Sequence, residues 1–490
     1  MTEVLPGIDP LRRRTGDRLA RITGPWTPVA IGLGLAVVAS LTWLQWWRPY
    51  LEHDDWDMLL PNGPAFVENH GARLLHEGRW LNDWWWSLGS QSLSPRGAAL
   101  LYAAGWLIVV AVVVRSLAIG WWSVPTAVAV YAAPMMSMLS YWPATTAAPM
   151  LATALTCALL WVTRDRWAAH LAVLAVGTVL IVLGYPPLAL LLLALLAVLH
   201  HGKGRRQLGV LAATVVLAYG AGIVIMFTLN AIRFGHFGLE IQQWRNPSAL
   251  NSLPSLGHHL GTVAGNWGSV LRPLTLPLLA FAGALAVALW EPRLRRRMLV
   301  VAGALIGGVA LSASSTITNG VNVPSRAMGW FWLLLVLVVV WSLETVRPSG
   351  RVVAAAVLAF LASWSVLYAA FAVLGHQPDR AALTSMRQVI VAHHQVDPDA
   401  PVYFAVADPR PTPAERQAVW EVGNQLAKYD HITAIGQCHG CRLTTAYIDP
   451  RHPGTWIFDI RDAIVVQFPA TIQHAPLHAQ PQPAWLVPFS

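Results

Sequence analysis

"TPVAIGLGLAVVASLTWLQWWRPYLEHDDWD", Thr27 to Asp57, joins about twenty apolar residues directly to four carboxylates, Glu52, Asp54, Asp55 and Asp57. An apolar run of that length suits an α-helix crossing the ~30 Å hydrocarbon layer. It ends in a tryptophan-rich stretch with no small-residue cleavage site, so it reads as a retained span and not a signal peptide. Adjacent carboxylates repel one another, and a single Asp suffices to cap a helix. Four of them at the mouth of a span point to chemistry at the membrane surface.

Composition agrees with lipid as the main solvent. The 490 residues are 55% hydrophobic and only 12% charged, about half the charged share of a soluble domain. Mean hydropathy is +0.49. The 25 tryptophans cluster beside apolar runs, as interfacial anchors do. The net charge of +9 falls in short basic clusters between apolar segments. That is the positive-inside pattern of a polytopic protein and not a nucleic-acid face.

The reading is a polytopic α-helical membrane protein of about eleven spans, near 28–47, 98–114, 119–136, 144–162, 168–184, 186–199, 208–230, 273–290, 298–313, 327–343 and 351–374. The sixth is short and opens at "GYPP", which predicts a broken or tilted helix. Basic residues precede the first span (Arg12, Arg13, Arg14, Arg18, Arg21) and recur in every second loop: Arg115, Arg164 with Arg166, Lys203 with Arg205 and Arg206, Arg293 with Arg295 to Arg297, and Arg347 with Arg351. Eleven spans put all of them, and the N-terminal segment 1–27, on the cytoplasmic side. The first loop 48–97 and the segment 375–490 then face outward. Within that loop, "PAFVENHGARLLHEG" reads as an interfacial helix with Phe66, Val67, Leu74 and Leu75 toward lipid.

From residue 375 the apolar runs shorten. "PVYFAVAD" and "DAIVVQF" read as strands and "TPAERQAVWEVGNQLAKY" as a helix, a small extracytoplasmic mixed α/β domain over 375–490. It carries Cys438 and Cys441 in "GQCHGCRL", best read as a disulfide in an oxidising compartment. Cys157 reads as a buried apolar residue within a span.

The distribution of acidic residues narrows the function. None of the 24 falls inside the eleven spans, which disfavours ion-coupled transport. Seven crowd the first loop: Glu52, Asp54, Asp55, Asp57, Glu68, Glu77 and Asp83. Acid–base chemistry at the outer face would draw its base from there. The complementary cations Arg79, Arg233, His236, Arg245 and Arg326 project from outward loops against the positive-inside trend. A guanidinium fork there suits a phosphate at headgroup level. Carboxylate and arginines together suggest group transfer from a lipid-phosphate donor.

The segment "HDDW…GRWL", with Asp54-Asp55 and then Gly78-Arg79-Trp80-Leu81, resembles the first-loop pattern of the bacterial Gtr-type glucosyltransferases, of the GT-C class of membrane glycosyltransferases. "APMMSMLSYWP", with Tyr141, looks like that family's Pro…Ser-Tyr segment, and "LGYPPLALLLLALL", with Tyr185, like its Gly-Thr-Tyr-Gln segment. "VPSRAMGWFWLLL" is similar to its late Arg-bearing span start. The likeness covers roughly 28–345. The chain departs from the pattern where "DDWDML" has no Arg, where Trp80 replaces Pro and where "GYPP" lacks Gln.

The resemblance implies a GT-C-like transmembrane catalytic unit over 28–374 in a bacterial inner membrane. It implies a polyprenyl-phosphate-linked sugar donor and transfer at the outer face to an envelope glycan or lipid acceptor. Asp54 or Asp55 would be the base, with Arg79, Arg233, His236 and Arg326 toward the donor phosphate. Glu52, Asp57, Arg245, Tyr141 and Tyr185 are further substrate-site candidates. A divalent metal, Mg or Mn, on Asp54 and Asp55 is left open. Two rivals share these features in part. A flippase or exporter of a lipid-linked sugar needs the arginines but not the clustered carboxylates. A non-enzymatic envelope assembly protein would work through 375–490.

Overall fold

A computed structural model describes residues 27–47, 49–60, 70–117, 119–242, 245, 247–406, 413–439, 447–448, 456–460 and 463–467. The basic N-terminal segment 1–26, Phe66, Val67, Glu68 and Cys441 lie outside the described residues, as does the side chain of Asp54.

The chain opens with α1 (Thr27–Trp47) and a 3-10 turn at His53–Leu59. Two short helices follow, α2 (His70–Glu77) and α3 (Trp80–Ser87), then α4 (Pro95–Leu117), α5 (Ser123–Tyr131) and α6 (Pro134–Leu139). The middle of the bundle is α7 (Pro143–Thr163), α8 (Trp167–Gly184), α9 (Pro186–Ala189), α10 (Leu191–His200) and α11 (Arg205–Phe234). It closes with α12 (Leu253–Leu271), α13 (Thr275–Trp290), α14 (Arg295–Asn319), α15 (Gly329–Ser342) and α16 (Pro348–Gly375).

Proline sets most of the breaks. A residue before proline is pushed out of the helical region. Ala133 before Pro134, Trp142 before Pro143 and Tyr185 before Pro186 all leave it, with ψ of 128°, 52° and 94°. Pro134 therefore divides the segment read as one span over 119–136 into α5 and α6. Pro186 starts the broken sixth segment, which forms α9 and α10. Each of these prolines then sits in the first helical turn, where its missing N–H costs nothing.

Among the described residues, seven helices are long and apolar enough to cross a membrane, or eight if α12 and α13, bent by 86° around Arg272-Pro273, count as one broken span. The chain is a multi-pass helical membrane protein. The sequence reading has no helix at 253–271, where α12 forms. Its apolar residues are too interspersed with Gly, His and Asn to read as a span.

Every residue of α15 is buried, so the helix is central. Its sequence, "GWFWLLLVLVVVWS", is apolar all round, as a fully enclosed helix requires. Trp332 donates from Nε1 to the Ala129 carbonyl at 2.9 Å, tying α15 to α5. Helices α7 and α8 pack closely because Gly177 lies against Thr156, where a Cβ would collide. Inside α8, His170 is buried with its Nε2 2.8 Å from that of His200. Helices α11 and α14 expose large apolar side chains, among them Leu217, Ile232, Leu299 and Ile306, surface that lipid and not water would cover. Cys157 is buried among apolar neighbours.

Beyond α16 the chain runs through His376 into α17 (Gln377–His394), then β1 (Val402–Val406), α18 (Pro413–Tyr429), β2 (Ile435–His439), β3 (Tyr447–Ile448), β4 (Trp456–Ile460) and β5 (Ala463–Gln467). The segments that read as strands form β1 and β5, and the one that read as a helix forms α18. The sheet runs β2-β1-β5-β4-β3, with β1 parallel to both neighbours and the other pairs antiparallel. Alternation works as strand geometry demands: Val402 and Phe404 are buried while Tyr403 between them is exposed. They pack on Val419, Val422 and Leu426 of α18 and on Met386 and Ile390 of α17. Cys438 lies in β2, in register with Ala405.

Candidate functional site

The acidic turn lies against the start of α7. The first N–H groups of a helix have no partner within it and carry partial positive charge. Asp55, fully buried, satisfies two of them: Oδ1 accepts from the Thr145 N–H at 2.6 Å and Oδ2 from the Ala144 N–H at 2.8 Å. The Glu52 N–H donates to the Tyr141 carbonyl at 2.9 Å, so residues 52–55 are stitched to 141–145 at both ends. Asp55 thus holds a helix start across the fold, whereas the sequence offered it as one of two candidate bases. Asp54 shares the backbone of the same 3-10 turn.

The arginines divide into two groups. Glu77, about one-tenth exposed, is the hub of the first. It accepts Arg73 Nε at 3.0 Å, Arg79 Nη1 at 3.2 Å and Arg245 Nη2 at 3.1 Å, and Arg73 also reaches buried Asp57 at 3.2 Å. Arg233 pairs with Asp83 at 3.0 Å and lies over the Trp80 ring. Arg79 and Arg233, read as phosphate ligands, and Arg245, read as a further substrate-site candidate, therefore each have a carboxylate partner. The acidic first loop neutralises these three, bringing a carboxylate to each charge that is partly withdrawn from water. Gly78, at φ +65°, makes the turn that aims Arg79 inward, and a Cβ there would strike Met226. The Arg79 guanidinium also sits over the Tyr185 ring, 5.4 Å from its centroid.

Arg326 is different. It lies over the Trp142 ring, 3.8 Å from the centroid, at the residue that immediately precedes α7. Among the described residues no carboxylate is within salt-bridge distance of it. Nearby, Tyr141 packs edge-on against Tyr50 and His376, at 5.2 and 4.8 Å between centroids. Burial pushes the Tyr141 phenol well above its ordinary pKa, with Tyr368 and Glu52 adding to the effect. His236 is exposed and joins neither group.

A narrow cleft opens between these elements, lined by Met58, Arg73, Leu74, Glu77, Arg79, Asn82 and Thr145. Leu74 is buried there and does not face lipid, as an interfacial helix would need. Asn82 and Thr145 escaped the sequence reading because neutral side chains beside apolar or tryptophan-rich runs carry no charge signal. Among the described residues, no three His, Cys, Asp or Glu side chains converge as metal ligands would. Asp55, one of the two ligands suggested for a metal, already directs both oxygens at backbone N–H groups. The described donor set does not fit a metal centre.

The α/β segment that follows α16 bears on the same place. Lys428 of α18 donates from Nζ to the Leu59 carbonyl at 2.6 Å and to the Gln91 carbonyl at 3.0 Å. At the other end of the acidic segment, His376 stacks on Tyr50 at 3.8 Å. Segment 50–59 is therefore held between α7, His376 and α18. No protein-family model, no curated protein and no solved structure matches this chain.

Proposed function

We propose that this protein is a membrane glycosyltransferase of the GT-C type, moving a sugar from a polyprenyl-phosphate carrier to an envelope glycan or lipid. One observation carries the reading. The acidic turn grips the first residues of α7 through Asp55, and the one candidate arginine without a carboxylate partner among the described residues, Arg326, stacks on Trp142 at the same helix start. This supports a reading in which the acidic turn supplies the base and Arg326 the phosphate-binding fork at the start of α7.

In this reaction an acceptor hydroxyl attacks the anomeric carbon of the donor sugar. The carbon–oxygen bond to phosphate breaks as the new glycosidic bond forms. The hydroxyl proton passes to Asp54, and the polyprenyl phosphate departs with its negative charge toward Arg326. Base assistance of this kind is worth about 10²–10⁴-fold. Asp55 keeps the turn in place, and the Glu77 cluster holds α2 and the Arg79 turn against it.

The same proposal takes eleven membrane crossings in a bacterial inner membrane, with the N-terminus cytoplasmic and both the first loop and the second domain outside. The test is transfer by purified protein from a panel of polyprenyl-phosphate sugars. A mass increment on the acceptor, lost in Asp54→Asn, supports the reading. Wild-type transfer by Asp54→Asn, or donor translocation without transfer, overturns it.

A further inference from the structure

Asn82 is 2% exposed and Thr145 is 1% exposed, and both line the cleft beside the acidic turn. They touch each other through Asn82 Nδ2, which donates to the Thr145 carbonyl at 2.9 Å. Their remaining polar atoms, Asn82 Oδ1 and Thr145 Oγ1, have no partner among the described residues. A buried polar atom in that state is uncommon and costs stability until a partner arrives.

The reason for the free hydroxyl lies in the fold. A helical threonine ordinarily returns its hydroxyl to the carbonyl four residues back. Thr146 does so to Trp142 at 2.6 Å, and Thr153 to Pro149 at 2.7 Å. For Thr145 that carbonyl belongs to Tyr141, and it already accepts the N–H of Glu52. Docking of the acidic turn thus coincides with a hydroxyl that is not bonded back to its own helix.

The pair of atoms selects its ligand. Asn82 Oδ1 only accepts, and Thr145 Oγ1 both donates and accepts. A phosphate or carboxylate has no proton for Oδ1, and Glu77 on the same wall repels it. An ammonium would meet Arg73 and Arg79. A neutral hydroxyl has the chemistry both atoms need, a proton for Oδ1 and a lone pair for Oγ1, and offends neither charge. Thr145 is one turn from Trp142, over whose ring Arg326 lies, so on the transferase reading a hydroxyl bound here would belong to the sugar next to the donor phosphate.

We infer that Asn82 and Thr145 form a subsite for one hydroxyl group of the donor sugar and determine which sugar is accepted. This rests on the transferase reading and adds its specificity-determining residues. A site built to bond a hydroxyl discriminates strongly against the analogue lacking it.

The experiment measures equilibrium binding of polyprenyl-phosphate hexoses to the full chain in nanodiscs, without acceptor. For the hexose that binds, each monodeoxy analogue is then compared. One analogue should bind the wild type at least about 10-fold more weakly, a single hydrogen bond's worth. Thr145→Val, which keeps the side-chain shape and the N–H to Asp55, should bind the parent hexose that much more weakly and no longer tell the two apart. Asn82→Ala should do the same. Should Asn82→Ala fail to fold, Thr145→Val and the analogue series still decide. Equal binding of all analogues by the wild type, or wild-type affinity in Thr145→Val, overturns the subsite alone. Absence of binding to every hexose in the panel overturns the transferase reading and the subsite with it.

Discussion

Asp55 accepts the backbone N–H groups of Ala144 and Thr145 at 2.8 and 2.6 Å, capping a helix that begins far along the chain. With Asp54 as the proposed base, the two adjacent aspartates should have separable roles. Asp55→Asn puts an amide NH₂ where one N–H now donates, leaving that donor unsatisfied at a buried site, at a cost of about 1–3 kcal/mol. It should lower the thermal midpoint and weaken transfer together. Asp54→Asn should abolish transfer with donor affinity and midpoint unchanged. Reversal of the two thermal effects would remove the division of labour.

Arg326 over Trp142 makes a second case. An ammonium retains the charge but neither the planar stack nor the two-pronged contact with phosphate oxygens. Arg326→Lys should therefore bind the donor more weakly and transfer more slowly, by about 10-fold or more. Trp142→Leu should show a smaller loss in the same direction. Donor affinity equal to wild type in the lysine variant would leave Arg326 as a headgroup anchor.

Glu77 joins three arginines, and its loss leaves partly buried guanidinium groups with one carboxylate fewer. Glu77→Gln should destabilise on the order of 2–3 kcal/mol, below the cost for a fully enclosed pair because Arg79 and Arg245 keep contact with water. Arg245→Ala should cost less than about 1 kcal/mol. Thermal midpoints in one detergent rank the two, and an equal effect would dissolve the hub.

Burial holds the Lys428 ammonium below its ordinary pKa. An unfolded lysine loses its proton near about 10.4, so the folded one loses it first. Between those two values the unfolded state binds more protons, and stability from this group rises with pH. Below the folded pKa the penalty is constant. The thermal midpoint of wild type relative to Lys428→Met should accordingly increase as the pH is raised through the alkaline range toward about 10.4. A difference that is flat with pH would contradict the burial of this charge.

Orientation has its own check. Alkaline-phosphatase fusions after Leu60 and after Arg380 should be active, and fusions after Lys203 and Arg295 inactive. Any inversion among the four would overturn the eleven-crossing arrangement.

The residues fall into two classes according to the range of the forces that place them. Helix positions follow from apolar content summed over neighbouring residues, and helix breaks from proline, which acts on the peptide beside it. Those effects are local, so α4, α7, α8, α11, α14 and α16, the break at Pro186 and the strand alternation of β1 were legible. Even the division at Pro134 had its signal in the chain, though the apolar run around it hid the break. The helix at Leu253–Leu271 was missed because its burial is intermittent, resting on contacts such as His259 with Ser248 and Ile317.

Charge and polarity at the candidate site obey a different range. A carboxylate is a base, a cap or a counterion depending on what lies within about 3 Å of it. The sequence by itself determined that carboxylates and arginines are concentrated at the ends of apolar helices. Tertiary structure alone decided that Asp55 caps α7, that Arg245 and Arg79 belong to Glu77, that Arg233 belongs to Asp83 and that Arg326 lies over the Trp142 ring. Each assignment joins segments that are distant along the chain, and a hydrogen bond or ion pair depends on angstrom-scale approach that no local pattern of residues encodes.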